Sequence, residues 1–194
     1  MATRSTKPEG EASATTLRRL MKEYQTEQKI QDQQSASSGS GSGNAKATSA
    51  AASRDENILY LAPKDTEGTQ LLEWQATIRG PPGGSYEGGI FDLVITVPAS
   101  YPTKPPSMRF VTRLWHPNVS WKTGEICLDV LSSQWSPAWN LSSALTAVIA
   151  LLDAPEPDSP LNVDAATVFR TGDPLAYKSM CRMYTLLWAS GPAA

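Results

Sequence analysis

Leu17, Leu20, Met21 and Tyr24 recur at the i, i+3, i+4, i+7 spacing of one helical face, which predicts a helix from about Ala14 to Asp32. Arg18, Arg19 and Lys22 lie off that face. The texture changes at Asn57. Ile58–Leu61, Leu72–Arg79, Phe91–Val97 and Ser107–Thr112 are short β-branched or aromatic runs cut by turn residues, and they read as four strands. Twelve of the fifteen prolines fall between Pro63 and Pro160, punctuation that excludes long helices in the strand region and favours a small antiparallel meander. Helical spacing returns at Asn140, which can cap a helix whose apolar face is Leu141, Leu145, Val148 and Leu152. Pro155, Pro157 and Pro160 end it. A shorter helix is predicted from Val163 to about Arg170. Asp173-Pro174, an N-cap followed by proline in the first turn, starts a last helix that reaches Trp188. A helix, four strands and then helices make an α+β domain with its C-terminal helices packed on one antiparallel sheet.

Two stretches fall outside this pattern. Residues 1–13 are polar and read as a disordered tail ahead of a single domain over 14–194. Within that domain, residues 33–56 are dominated by Ser, Gly and Ala and read as a flexible low-complexity insertion, too poor in apolar area to offset its ordering entropy.

Composition narrows the partners. A formal net charge of −2 and a pI near 5.5 supply no basic field for phosphates, so nucleic acid is not the expected partner. The longest apolar run, Ala147 to Leu152, is far short of a bilayer span, and no basic start with an apolar stretch marks a secretory signal. A soluble protein without direct membrane insertion is expected. Two cysteines make neither a disulfide framework nor a zinc pair, and point to a reducing compartment; no metal and no cofactor is expected.

The candidate chemistry lies around Cys127. It sits in Thr123-Gly124-Glu125-Ile126-Cys127-Leu128-Asp129, which reads as an exposed loop leaving an extended run. A thiol placed so can hold an acyl group as a thioester. Glu125 and Asp129, if near in space, disfavour its thiolate. Asn118 can present an N–H to an oxyanion, although Asn after Pro is also a common turn residue. His116, the sole histidine, is either a general base or a structural residue that hydrogen-bonds backbone and holds Asn118; a Cys-His hydrolase needs the first reading. Cys181, within the last predicted helix, reads as a small buried side chain.

The string His116-Pro117-Asn118 followed by Cys127-Leu128-Asp129 resembles the active-site signature of ubiquitin-conjugating enzymes. The resemblance continues through Trp74 to Pro81, Tyr86-Glu87-Gly88-Gly89-Ile90-Phe91, Tyr101-Pro102-Thr103-Lys104-Pro105-Pro106, Gln134-Trp135-Ser136-Pro137-Ala138 and Pro157-Asp158-Ser159-Pro160-Leu161, roughly 14–33 and 57–188 in all. Within the family the chain is most similar to the peroxisomal branch, on Gly124 to Leu128, Asp158 to Asp164, and Gly172-Asp173 with Ala176-Tyr177.

The resemblance implies an acyltransferase that takes ubiquitin as a thioester on Cys127 from the ubiquitin-activating enzyme and delivers it with a RING-type ubiquitin ligase. ATP is used upstream. It implies catalytic roles for Cys127, Asn118 and Ser159, with His116 as structural support. Pro102, Thr103, Trp135, Pro137 and Ala138 would meet the ligase, and Arg18, Arg19 and Lys22 the activating enzyme, where composition alone suggests only solvated surface. The implied client is a peroxisomal import receptor at the cytosolic face of the peroxisomal membrane, reached through a membrane-anchored partner of the peroxin twenty-two type. A general cytosolic conjugating enzyme and a non-catalytic ubiquitin-binding variant are the alternatives. Two departures stand out: Thr103, where many relatives carry a bulky apolar side chain, and Ser159, which cannot act as a persistent carboxylate.

Overall fold

The computed structural model describes residues 12–37, 54–65, 70–127, 131–132 and 135–191. Most of the predicted tail and insertion lies outside them, as does Asp129. Ser13, assigned to the tail, instead begins the fold: its hydroxyl accepts from the Thr16 N–H at 3.1 Å, capping the first helix.

That helix, α1, spans Ala14–Ser37. It extends past the predicted end because Gln33, Gln34 and Ala36 favour helix and no glycine intervenes before Gly39. Strands β1 (Ile58–Pro63), β2 (Glu73–Arg79), β3 (Ile90–Thr96) and β4 (Ser107–Phe110) follow. Each pairs antiparallel with the next, in the order β1-β2-β3-β4. Along β2 and β3 burial alternates strictly, putting Trp74, Ala76, Ile78, Phe91, Leu93 and Ile95 on one face.

Helices α2 (Leu141–Asp153), α3 (Val163–Arg170) and α4 (Pro174–Trp188) follow the strands. Asn140, Asn162 and Asp173 cap them through side-chain acceptors, the first and last as predicted. Helix α2 buries Leu141, Leu145, Val148 and Leu152, each contributing about 1.5–3 kcal/mol of transfer free energy. It packs on β1, as α1 does, and α3 packs on α4. The far end of α4 is tied to the sheet where Ala189 O accepts from Ile90 N at 2.8 Å.

The buried face of α1 differs from the apolar stripe read from sequence. Leu20 is fully buried and Tyr24 packs edge-on against Trp74, but Leu17 and Met21 are 39 % and 37 % exposed. Thr16 and Glu27 are buried instead. Long-range partners compensate them, as buried polar groups require. The Thr16 hydroxyl donates to the Tyr101 carbonyl at 2.7 Å, and Glu27 accepts from Arg54 Nη1 at 2.8 Å. Arg54 also donates to Ile58 O through Nε at 3.1 Å, so one guanidinium fastens the start of β1 to α1.

Candidate functional site

The polypeptide after β4 doubles back as a hairpin. Val119 pairs with Ile126, Ser120 N donates to Glu125 O at 2.9 Å, and Gly124 N donates to Ser120 O at 2.8 Å. The turn needs glycine at position 124. Its φ is +74°, and a Cβ there would lie 2.0 Å from the Phe110 carbonyl oxygen, itself part of β4. The returning arm extends the sheet: Phe110 N donates to Gly124 O at 2.8 Å and Ile126 N to Met108 O at 3.2 Å.

Cys127 stands at the open end of this hairpin, its N–H donating to Asn118 O at 3.0 Å. It is only 8 % exposed, not the exposed loop residue expected, because the arms that carry it bury Val119 and Ile126 against the core. Asn118 is wholly buried, and every polar atom of its carboxamide is engaged. Nδ2 donates to Glu156 O at 2.7 Å and to Ser159 O at 3.1 Å, while Oδ1 accepts from Glu156 N at 2.8 Å. The Pro117 carbonyl adds two more links, accepting from Leu161 N at 2.8 Å and Asn162 N at 3.0 Å. The carboxamide thus fixes the 156–159 turn to the residue whose carbonyl holds the Cys127 N–H. Of the two roles open to it, the geometry displays the loop-holding one; a direct bond to an oxyanion requires release of a turn carbonyl.

His116 cannot serve as a base in this arrangement. It is wholly buried, Nδ1 accepts from Asn118 N at 3.0 Å, and Nε2 lies 3.0 Å from Leu151 O, to which it donates as the neutral tautomer. Burial pulls its pKa down to about 4, against a smaller opposite pull from the Leu151 carbonyl. Ser159 is half-buried, held by its main chain to Asn118 and Glu156. Cys181 is sealed within α4, donating to Tyr86 Oη at 3.3 Å, and burial pushes its thiol pKa up. Among the described residues no group of three His, Cys, Asp or Glu side chains could hold a metal ion.

The two loops assigned to ligase contact do come together. Trp135 Nε1 donates to Pro102 O at 2.8 Å, and its ring lies 5.9 Å from that of Tyr101. Thr103, Pro137 and Ala138 project beside them, exposed. On α1, Arg18 and Lys22 are exposed. Arg19 differs from the expected free surface cation: Nε meets Glu23 Oε1 at 2.7 Å and Nη2 donates to Trp139 O at 2.9 Å, raising its pKa chiefly through the Glu23 bond. Sequence reasoning missed Glu23, Thr16 and Glu156. The i, i+4 spacing of Arg19 and Glu23 was a visible signal for one of them.

A family model described as ubiquitin-conjugating enzyme matches residues 44–185. The chain is 52 % identical over 123 residues to Protein PEROXIN-4 of Arabidopsis thaliana, covering 63 % of this chain and 78 % of the relative. It is 50 % identical over 133 residues to ubiquitin-conjugating enzyme E2 pex4 of Dictyostelium discoideum, covering 69 % and 87 %. Among solved structures it is similar to the H. polymorpha ubiquitin conjugating enzyme Pex4p in complex with the soluble domain of Pex22p, with a TM-score of 0.73, 34 % identity, and coverage of 92 % of this chain and all of that one. A family match over most of the chain, on a fold shared with a solved relative along its whole length, places the protein in the ubiquitin-conjugating enzyme family, whose members are ubiquitin transferases.

Proposed function

We propose that Cys127 carries ubiquitin as a thioester and passes it, with a RING-type ligase, to a substrate, a peroxisomal import receptor during receptor recycling. The observation that carries this reading is the joining of three segments through Asn118: the hairpin bearing Cys127, whose N–H bonds to the Asn118 carbonyl, the Asn118 backbone itself, and the 156–159 turn that the Asn118 carboxamide fixes. Charging is thiol-for-thiol exchange. The Cys127 sulfur attacks the carbonyl carbon of the ubiquitin thioester on the activating enzyme, the activating enzyme's sulfur leaves and takes a proton, and one thioester replaces another. The step is near thermoneutral, so the lack of a poised imidazole is no handicap. Discharge follows by attack of an acceptor amine or thiol. No cofactor is used at this stage, ATP being consumed upstream.

Ligase docking through Pro102, Thr103, Trp135, Pro137 and Ala138, and activating-enzyme docking through Arg18 and Lys22, complete the reading. The peroxisomal setting is supported by the names of the relatives in Arabidopsis and Dictyostelium. The solved complex of Pex4p supports a membrane-anchored partner of the Pex22 type, holding the protein at the cytosolic face of the peroxisome. Such a partner suits a chain in which, among the described residues, no helix is long and apolar enough to cross a membrane.

The test is incubation with activating enzyme, ATP and ubiquitin. The expected product is an adduct that thiol reductants remove; a reductant-stable adduct or none overturns the thioester assignment. A tagged copy should colocalise with peroxisomes, and a diffuse cytosolic distribution would favour a general conjugating enzyme.

A further inference from the structure

Three donors from three parts of the chain converge on the Glu23 carboxylate, a side chain only 10 % exposed. Oε1 accepts from Arg19 Nε at 2.7 Å and from the Tyr101 hydroxyl at 2.8 Å; Oε2 accepts from the backbone N–H of Leu141 at 3.0 Å. Leu141 opens α2, so the carboxylate also lies at the positive end of that helix. Arg19 carries the network to the Trp139 carbonyl, and Thr16 ties the Tyr101 carbonyl to α1. The indole of Trp135 closes the circuit on Pro102. Burial, and then the Glu23 charge, hold the Tyr101 phenol well above its ordinary range, so it stays a donor. Only a carboxylate suits this position. It offers acceptors at both oxygens and no donor, whereas an amide turns an NH₂ toward at least one incoming N–H or O–H.

We propose that Glu23 is a positioning residue for ubiquitin transfer, holding α1 and the two recognition loops around Tyr101–Thr103 and Trp135–Trp139 as one surface. This rests on the reading that α1 and these loops meet the activating enzyme and the ligase. Exposed recognition side chains bind well only when the segments carrying them are already ordered, since ordering on binding is deducted from affinity.

Glu23→Gln, Tyr101→Phe and the double variant test it. Hydrogen exchange in the full chain should speed up at the Thr103 and Trp139 amides, now bonded to Ser100 O and Ser136 O, and stay unchanged at those of Asn118 and Cys127. As a substrate of the activating enzyme, Glu23→Gln should show a KM raised about fivefold with kcat within about twofold. Tyr101→Phe should move both readouts less, and the double variant should be no worse than Glu23→Gln, because the two act through one bond. Faster exchange throughout the domain, unchanged exchange at Thr103 and Trp139, or a charging defect carried by kcat would overturn the proposal. Should Glu23→Gln fail to fold, Tyr101→Phe, which keeps the carboxylate, decides alone. If the unaltered protein takes no ubiquitin at all, the functional reading fails, while the exchange measurement, which needs no partner, still decides the positioning claim.

Discussion

The two cysteines are both buried, yet their surroundings share almost nothing. Cys181 lies in the middle of α4, with the Tyr86 hydroxyl as its partner and aromatic rings from Tyr86, Trp115 and Tyr177 nearby. Cys127 stands where a hairpin opens, and the bonds that define its place are all main-chain or reach it through Asn118. Burial alone therefore does not set apart the thiol proposed to carry ubiquitin. What differs is the kind of partner: aromatic side chains around Cys181, and a main-chain bond to Asn118 at Cys127.

The sharpest way to break that comparison is to exchange the thiols. Cys127→Ser should yield an oxyester-linked ubiquitin that survives thiol reductant, and Cys127→Ala no adduct, while Cys181→Ser should charge within about twofold of the unaltered protein. Loss of charging in a folded Cys181→Ser variant would reverse the roles.

The next contrast uses two glycines with nearly the same dihedral, φ +74° at Gly124 in the hairpin and +73° at Gly172 ahead of α4. A Cβ at Gly172 meets nothing within 4 Å, whereas at Gly124 it meets the Phe110 backbone. Gly172→Ala should cost only the left-handed strain, about 1–2 kcal/mol, and Gly124→Ala upward of about 3 kcal/mol, read from urea unfolding midpoints. Equal costs would mean the hairpin yields more easily than its bonding implies.

Acid sensitivity should also sort by region. The buried phenols of Tyr177 on α4 and of Tyr86 packed against it have pKa values raised by burial and stay neutral through the acid range. His116 titrates within that range. Its folded pKa of about 4 lies below the ordinary 6.5, so the unfolded chain binds the proton more readily. The stability tied to neutral His116 is fully present above pH 6.5 and is lost as pH falls toward 4, about 2–3 kcal/mol by pH 4.5. Comparing unfolding at pH 7 and 4.5, His116→Gln should flatten that loss; an unchanged slope would assign it to carboxylates.

The smallest expected effect lies on the rim. Arg18→Glu with Lys22→Glu should raise the KM for charging a few-fold at low salt, an effect that shrinks at higher ionic strength, with no change in melting temperature. Arg19 is left out of that variant because reversing it would also break the Glu23 network.

These contrasts trace what a sequence can and cannot disclose. The α+β order, the meander and the caps at Asn140 and Asp173 were legible because they depend on neighbours within one turn or strand. The inward face of α1 was not. Periodicity assigns apolar residues to the core, and nothing local marks Thr16 or Glu27 as buried; their compensating partners, Tyr101 and Arg54, lie far along the chain. At the candidate site, Cys127, Asn118 and His116 were singled out by type and motif. That Asn118 holds Glu156 and Ser159 was hidden, since those bonds run to main-chain atoms that every residue possesses.

The Arg54–Glu27 pair has a consequence for how this chain can change. Because the Arg54 guanidinium holds both Glu27 on α1 and Ile58 O at the head of β1, removing either charge alone leaves the other buried without its partner, at a cost of about 3–5 kcal/mol. Positions 27 and 54 are thus bound to change as a couple, although they stand 27 residues apart in the chain.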